Sequence, residues 1–554
     1  MAFLLLCSPL PLVGSTESGQ LRELTQSRIE ELRGVGRLTI GDTEIASVAL
    51  LPLFYEQRDF QPAWVGHRAN AEKLVQLIEK SRDEGLNPAD YHGFQIRQML
   101  NELAVQQGPS NANLVDLDII LTDSLIRYAY HRRFGKVNPE GLDPHWNFGR
   151  SIAGIDPVEN LRAAMEAGSI VAYLDQFAPQ LPFYNRLKRA LRKYRAIEQD
   201  GGWPIVPAGK SLKPGISDPR VKMVRERLLI SGDLEPTAVE NPTLFDDEIV
   251  NGVRRFQHRH GLEPDGVVGR QTLAAMNVPV GDRIDQIRVN LERGRWVAQD
   301  VPEEFIIVDI AGFRASLMRD GEVVWDERVQ VGKPFRKTPV FRSNMSYLEM
   351  NPTWTVPPTI LEEDILPKVK QDLLYLAEKN MRVLDYEGRD VDPVTLDWNA
   401  YNGRNFPYLL RQGPGPTNAL GRIKFMFPND HLVYLHDTPS KSLFERNQRA
   451  FSSGCIRIEN PYRLAELLLR DEQKWGREEI LEVIDSGDTR RVNLPQSVPV
   501  LLLYWTVAVD DDRVMFKPDL YERDGRVLEG LNGEFLFRSP KDAPEWIKSA
   551  SSKS

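Results

Sequence analysis

The apolar residues of this chain change their period once. Up to about residue 300 they recur at intervals of three and four, as in NAEKLVQLIEKSRDEGLNPADY (70–91), and from Val301 they alternate, as in EEFIIVDI (303–310) and ASLMRDGEVVWDERVQVG (315–332). The first spacing is that of helices laid on a core, and the second is that of strands with one buried face. A long helical part followed by a strand-rich part predicts a multidomain α+β chain. At 554 residues it exceeds one core, and at ~150 residues per unit it should form three or four.

Gly, Pro and Ser punctuate the chain into segments. MAFLLLCSPLPLVGSTESGQ opens with a short apolar run ending in small residues but has no basic flank, so 1–19 reads as a signal-like segment. Residues 20–205 read as a helical scaffold, with Asn70 a plausible helix cap and His67, His92, His131 and His145 scattered without ligand spacing. The stretch 200–219 is rich in turn formers, and 214–280 reads as a small three-helix bundle with its helices in DPRVKMVRERLLISG, FDDEIVNGVRRFQHRHG and GRQTLAAMN. A helix over 281–300 returns to the scaffold. Residues 301–495 form a mainly-β domain in which Asp320-Gly321 joins two alternating runs as a hairpin. An insertion at about 357–412, mostly helical in TILEEDILPKVKQDLLYLAEKNMRVLD, reads either as a cap over a site or as an ordinary packed excursion. Residues 496–554 complete the chain as C-terminal strands and tail.

Composition excludes some functions. Hydrophobic residues at 41% and charged residues at 27% are globular values, and a net charge of −9 offers no basic surface for nucleic acid. If the leading segment with Cys7 is removed on export, Cys455 is left as a lone thiol, so no internal disulfide can form.

That cysteine lies in RAFSSGCIRI (449–458), a short way after HDTPSKSLF (436–444). His436 ends an apolar run that reads as a strand, and Cys455 follows a Ser-Ser-Gly tract that reads as a tight turn. A thiol with a pKa of ~8.5 is mostly protonated at neutral pH, and an imidazole beside it can take its proton and return it to a leaving amine. Gly454 would let backbone N–H groups approach a substrate carbonyl. From residue type alone, the preferred reading of Cys455 is a buried structural cysteine, with a reactive thiol as the alternative. Zinc fits poorly, since only His431 lies close by in sequence. Tyr434 falls on the same side of the strand as His436 by the two-residue period, and it reads as a substrate-positioning hydroxyl or as a core aromatic. Trp354 reads as a cleft wall or as packing.

VRRFQHRHGLEPDGVVGRQTLAAMN (253–277) resembles a peptidoglycan-binding module. The two site motifs, with VQVGKPFRKTPVF, MNPTWTVPP and ALGRIKFMFPN in the same order, resemble an L,D-transpeptidase of the YkuD-type catalytic fold, nearest the large periplasmic YcbB-like subgroup. The resemblance implies that Cys455 attacks the L-to-D amide of a donor tetrapeptide stem of peptidoglycan, releases D-Ala and forms a thioester. His436 would be general base and acid, Gly454 and the Cys455 N–H would line the oxyanion hole, and Arg457 would stabilise the pocket, meet a substrate carboxylate or simply form a surface ion pair. Transfer to a diaminopimelate amine of an acceptor stem would give a 3-3 cross-link, with no cofactor or metal. Many members have His where this chain has Ser453, so the role of Ser453 is left open. The resemblance further implies a Gram-negative periplasmic location and inhibition by carbapenem-type β-lactams. Hydrolysis by an L,D-carboxypeptidase or endopeptidase, or a non-catalytic wall-binding scaffold, are the alternative readings.

Overall fold

A computed structural model describes residues 15–105, 110–150, 156–299, 301–510 and 512–534. Cys7 and most of the 1–19 segment lie outside the described residues, as does 535–554. Among the described residues no helix is long and apolar enough to cross a membrane.

The expected division holds: a helical N-terminal region, a small helical bundle and a β-rich domain follow one another. The scaffold core is organised around the helix Asn111–Phe134, which is buried along most of its length. Its buried polar groups are matched in pairs. Asp118, for example, accepts from Tyr55 Oη and from the Ala63 and Trp64 amides, so a carboxyl without access to water stays hydrogen-bonded. The helix at 68–80 starts at Arg68 after His67 and is not capped by Asn70. The bundle is built from Arg220–Ser231, Asp247–Arg259 and Arg270–Met276, around Val224, Leu228, Val253, Phe256 and Met276.

Nine strands form the main sheet of the C-terminal part: β1 (Glu304–Asp309), β2 (Arg314–Arg319), β3 (Glu322–Gly332), β4 (Phe341–Met350), β5 (Ile423–Met426), β6 (Leu435–His436), β7 (Ala450–Ser452), β8 (Ile456–Ile458) and β9 (Arg490–Leu503). Their order is β7-β3-β8-β6-β5-β4-β9-β1-β2, and a further β2–β3 pairing closes eight of them into a ring. Closure removes the free edges that would otherwise invite pairing with other chains. The Asp320-Gly321 hairpin forms as expected, Arg319 facing Glu322 and both turn residues having positive φ. Alternate residues, among them Val308, Leu317, Val329, Leu348, Phe425, Leu435, Ile456 and Leu502, share one core. The strand that the sequence reading divides at 495 is continuous from Arg490 to Leu503. Only a register shift between Asn493 and Val498, a stretch that contains Pro495, interrupts it.

The insertion differs from a helical cap. Its first part is helical but broken into short pieces, Pro358–Ile360, a π-helical turn Leu361–Ile365, Leu366–Gln371 and Leu374–Glu378. The rest contains a four-stranded sheet made of Trp354–Thr355, Leu409–Gln412, Met381–Leu384 and Asp390–Val391. Strands of two to four residues are too short to establish a period, so the pattern hides them. The cap has its own core of Leu361, Ile365, Val369, Leu376, Trp398 and Phe406.

One helix, Val280–Val297, joins every part. Arg288 Nε donates to Gly85 O at 3.0 Å and Glu292 Oε1 accepts from Val137 N at 2.6 Å, both in the scaffold. Arg283 reaches Ala275 O in the bundle at 3.3 Å. Gln286 donates to the Thr506 and Lys517 carbonyls, and the fully buried Asn290 exchanges two hydrogen bonds with Thr506 at 2.7 and 2.9 Å. Replacing Asn290 by Ala leaves the Thr506 amide buried without its acceptor and opens a small void, at a cost of about 2–4 kcal/mol. Denaturant unfolding followed by tryptophan fluorescence should show the scaffold and β-domain transitions moving down together. A shift confined to one of them would mean that the helix does not couple them.

Candidate active site

The site is made by two very short strands. β6 pairs in parallel with β8, Leu435 opposite Ile456 and His436 opposite Arg457, and Ile456 N donates to Tyr434 O at 3.1 Å. Leu435, Ile456 and Ile458 point into the core with no exposed surface. By the two-residue period their neighbours Tyr434, His436, Cys455 and Arg457 all lie on the opposite face. The same register continues across the sheet, Gln330 opposite Arg457, Lys424 opposite His436 and Glu349 opposite Lys424. A polar row therefore crosses a sheet whose other face is apolar.

The turn before β8 is held from inside. Ser452 Oγ donates to Cys455 O at 2.6 Å and accepts from Gly454 N at 3.1 Å. Thr338 Oγ1 donates to Gly454 O at 2.9 Å and accepts from Gly332 N at 2.9 Å, tying the turn to the end of β3. Gly454 has φ of 117°, and a Cβ there would meet nothing closer than Lys337 O at 3.8 Å. Conformation, not space, thus demands glycine at this position. Ser453 is exposed and its Oγ accepts from Arg336 Nη1 at 2.6 Å.

Cys455 is half-buried, and its Sγ lies 3.8 Å from Leu432 O. Burial pushes the thiol above its ordinary value, while the backbone and hydroxyl of Tyr434 and the charge of Arg457 act in the opposite direction. His436 is buried, and its Nδ1 is bound to Asp437 O. A carbonyl partner requires Nδ1 to carry the proton, which leaves Nε2 as the basic nitrogen. Burial first, and then the Arg457 charge, depress this imidazole to about 3. Asp437 is itself anchored, accepting from Arg422 N at 2.8 Å and from Lys441 Nζ at 2.6 Å, so the carbonyl that orients the ring is fixed. Arg457 donates to Gln330 Oε1 at 3.2 Å, and no carboxylate is paired with it among its described contacts. The surface ion pair considered for it does not form.

Tyr434 connects the site to the cap. Its ring lies 5.6 Å from that of His436, and Lys424 Nζ sits 4.5 Å from its centroid. Its hydroxyl interacts with the Cys455 thiol and the Trp354 side chain, and its pKa is raised by burial and then by the thiol's charge. Trp354 is buried at the base of the cap core, against which Tyr434 also packs. The structure thus brings together Tyr434, His436, Gly454, Cys455, Arg457 and Trp354, with Ser453 on the rim. Sequence reasoning did not single out Gln330, Arg336, Thr338, Lys424 or Ser452. Arg336 and Thr338 lie in the quoted VQVGKPFRKTPVF, and Lys424 is placed by the alternation of IKFM. Among the described residues no group of three or more His, Cys, Asp or Glu could hold a metal ion.

Comparison with known proteins matches three segments: a scaffold domain over 49–191, a "Putative peptidoglycan binding domain" over 217–276 and an L,D-transpeptidase catalytic domain over 303–488. A Haemophilus influenzae protein described as "Putative L,D-transpeptidase" is 38% identical over 232 residues, covering 42% of this chain and 47% of that protein. The chain therefore spans about half the length of this curated relative. Among solved structures, an L,D-transpeptidase from Mycobacterium smegmatis aligns over 36% of this chain and 58% of its own at 15% identity, with a TM-score of 0.18. The L,D-transpeptidase LdtMt1 in complex with imipenem aligns over 36% and 59% at 13% identity, also with a TM-score of 0.18. Cys455, His436 and their neighbours all fall within the matched catalytic segment, so the chain carries an L,D-transpeptidase catalytic domain together with a scaffold domain and a peptidoglycan-binding domain.

Proposed function

We propose that this chain is a peptidoglycan L,D-transpeptidase that forms 3-3 cross-links, with Cys455 as its nucleophile. The observation that carries the reading is the shared face of β6 and β8, where a thiol, an imidazole, a phenol and a guanidinium with no carboxylate partner among the described residues meet beneath the cap. The Cys455 proton passes to His436 Nε2 as sulfur adds to the donor carbonyl. The Cys455 N–H is the oxyanion donor of the turn, since the Gly454 N–H is engaged by Ser452. Collapse of the tetrahedral intermediate breaks the C–N bond, His436 returns its proton to the departing D-Ala amine, and a thioester remains. The acceptor amine then adds to the thioester, losing its proton to His436, and the thiol is restored. Energy is conserved in the thioester, so no nucleotide is consumed.

Arg457 supplies positive charge beside the sulfur, and Tyr434 donates to the thiolate or to the oxyanion. The cap, packed on Tyr434 and Trp354, shields the thioester from water, which favours transfer over hydrolysis. The combination of scaffold, cap and Ser-Ser-Gly-Cys turn supports the YcbB-like subgroup. Export to the periplasm follows from the proposed substrate, and a carbapenem-type β-lactam would acylate the same sulfur through its strained amide.

Incubation with a purified disaccharide-tetrapeptide should add the donor minus D-Ala to the intact protein, and acceptor stems should yield a dimeric muropeptide. Cys455→Ala should do neither, as read by mass spectrometry. Release of tripeptide alone, with acceptor present, would make the protein a hydrolase, and no adduct with any donor would leave a wall-binding scaffold.

The two shifted pKa values give a second expectation. With His436 depressed to about 3 it stays neutral above pH 5, and with the thiol raised, the resting pair is thiol and imidazole, not thiolate and imidazolium. Alkylation of Cys455 by iodoacetamide should therefore keep climbing beyond the ordinary thiol range of ~8.5, without an inflection near ~6.5. Arg457→Gln removes a charge that lowers the thiol pKa, so its alkaline limb should move to higher pH. An inflection between pH 6 and 7 in the unaltered protein would point instead to a preformed ion pair.

A further inference from the structure

Arg336 lies in the connection between β3 and β4 and belongs at once to the nucleophile turn and to the cap. Its Nη1 donates to Ser453 Oγ and to Asp364 Oδ2, each at 2.6 Å, and its Nη2 meets Glu363 Oε2. Glu363 and Asp364 sit on the π-helical turn Leu361–Ile365 of the cap. The arginine side chain is only 11% exposed, whereas those of Glu363 and Asp364 are 53% and 39% exposed. Its Nε is buried with no hydrogen-bond partner among the described residues. A guanidinium fork is satisfied best by one carboxylate bound through two parallel N–H groups. Here two separate acids each take one end, over-neutralise the charge and leave a donor unused. Half-exposed ion pairs of this kind hold weakly. The apolar core of the cap includes neither acid.

We infer that Arg336 is a binding site for a peptide carboxylate at the mouth of the nucleophile turn, filled by Glu363 and Asp364 when no peptide is bound and exchanged for the substrate's own carboxylate on loading. The inference rests on the proposed function for the identity of the peptide. Ser453 is the polar companion of this site, which gives the residue standing before Gly454 a task in recognition. The cap acids act as a latch: substrate carboxylate and latch compete for one cation, so that loading and loosening of the cap are the same event.

The test compares two small probes of Cys455 in the full chain, iodoacetate, which carries a carboxylate, and neutral iodoacetamide, by mapping the modified peptide. In Glu363→Gln/Asp364→Asn the ratio of the iodoacetate to the iodoacetamide rate should rise about fivefold or more, because Arg336 is released to hold the anion. Adding Arg336→Lys, which keeps the charge and loses the fork, should abolish most of that rise. An unchanged ratio in the double variant, or a rise that survives the lysine, overturns the site. With a donor stem, Arg336→Gln should raise KM about tenfold or more for the free acid while leaving the amidated stem unaffected. Equal effects on both stems also overturn it. If the probe ratios behave as expected but no donor ever acylates Cys455, the carboxylate site stands and the transpeptidase reading fails. If acylation proceeds and neither arm depends on Arg336, the transpeptidase reading stands and the site fails.

Discussion

The parallel pairing of Leu435–His436 with Ile456–Ile458 is the contact on which the site depends. Two strands of two and three residues cannot be stable alone. They are held because their inward side chains, Leu435, Ile456 and Ile458, are wholly buried in the core of a closed ring. Once those residues are fixed inward, the pleat determines that Tyr434, His436, Cys455 and Arg457 face outward together. A slip of one residue in the second strand would send an arginine or a thiol into the core and an isoleucine into the cleft, and a slip in the first would turn the histidine inward and Leu435 outward. The chemistry is therefore positioned by apolar packing on the side of the sheet where no chemistry occurs.

On the outward face, burial and charge oppose one another. Desolvation disfavours both thiolate and imidazolium, and Arg457 and Lys424 partly restore the first while further disfavouring the second. Both directions favour a proton on sulfur, which the proposed mechanism would pass to His436 when the donor binds. The carbonyl of Asp437, itself locked by Arg422 and Lys441, holds the imidazole in the tautomer that proton transfer needs.

The period change at Val301, the Asp320-Gly321 hairpin and the three bundle helices were legible because each rests on a local rule: alternation, a two-residue turn with positive φ, or a 3.6-residue spacing. Cys455 and His436 were legible through scarcity and motif, and Tyr434 through the pleat. Arg336 was not, because its partners Ser453, Glu363 and Asp364 are brought to it by the closing of the ring and the folding of the cap, and a single arginine in a loop has no spacing to betray it. The sheet within the cap stayed hidden for a related reason, its strands being shorter than any window that could register a period. The boundary at 495 falls inside β9, which runs on past Pro495 through a shift in register that no local pattern announces.

The helix Val280–Val297 gives the chain an order in time as well as in space. It closes the scaffold and contacts the bundle, but Asn290 finds Thr506 only 216 residues later in the sequence, and Arg293 finds Asp524 only 231 residues later. Asn290 Nδ2 also donates to Gln286 O within the helix, but its hydrogen bonds to Thr506 and the Arg293–Asp524 pair need nearly all of the β domain to have followed. The three segments that match separate families are separable as sequences, yet contacts across more than two hundred residues join them at this helix, a topology of high contact order.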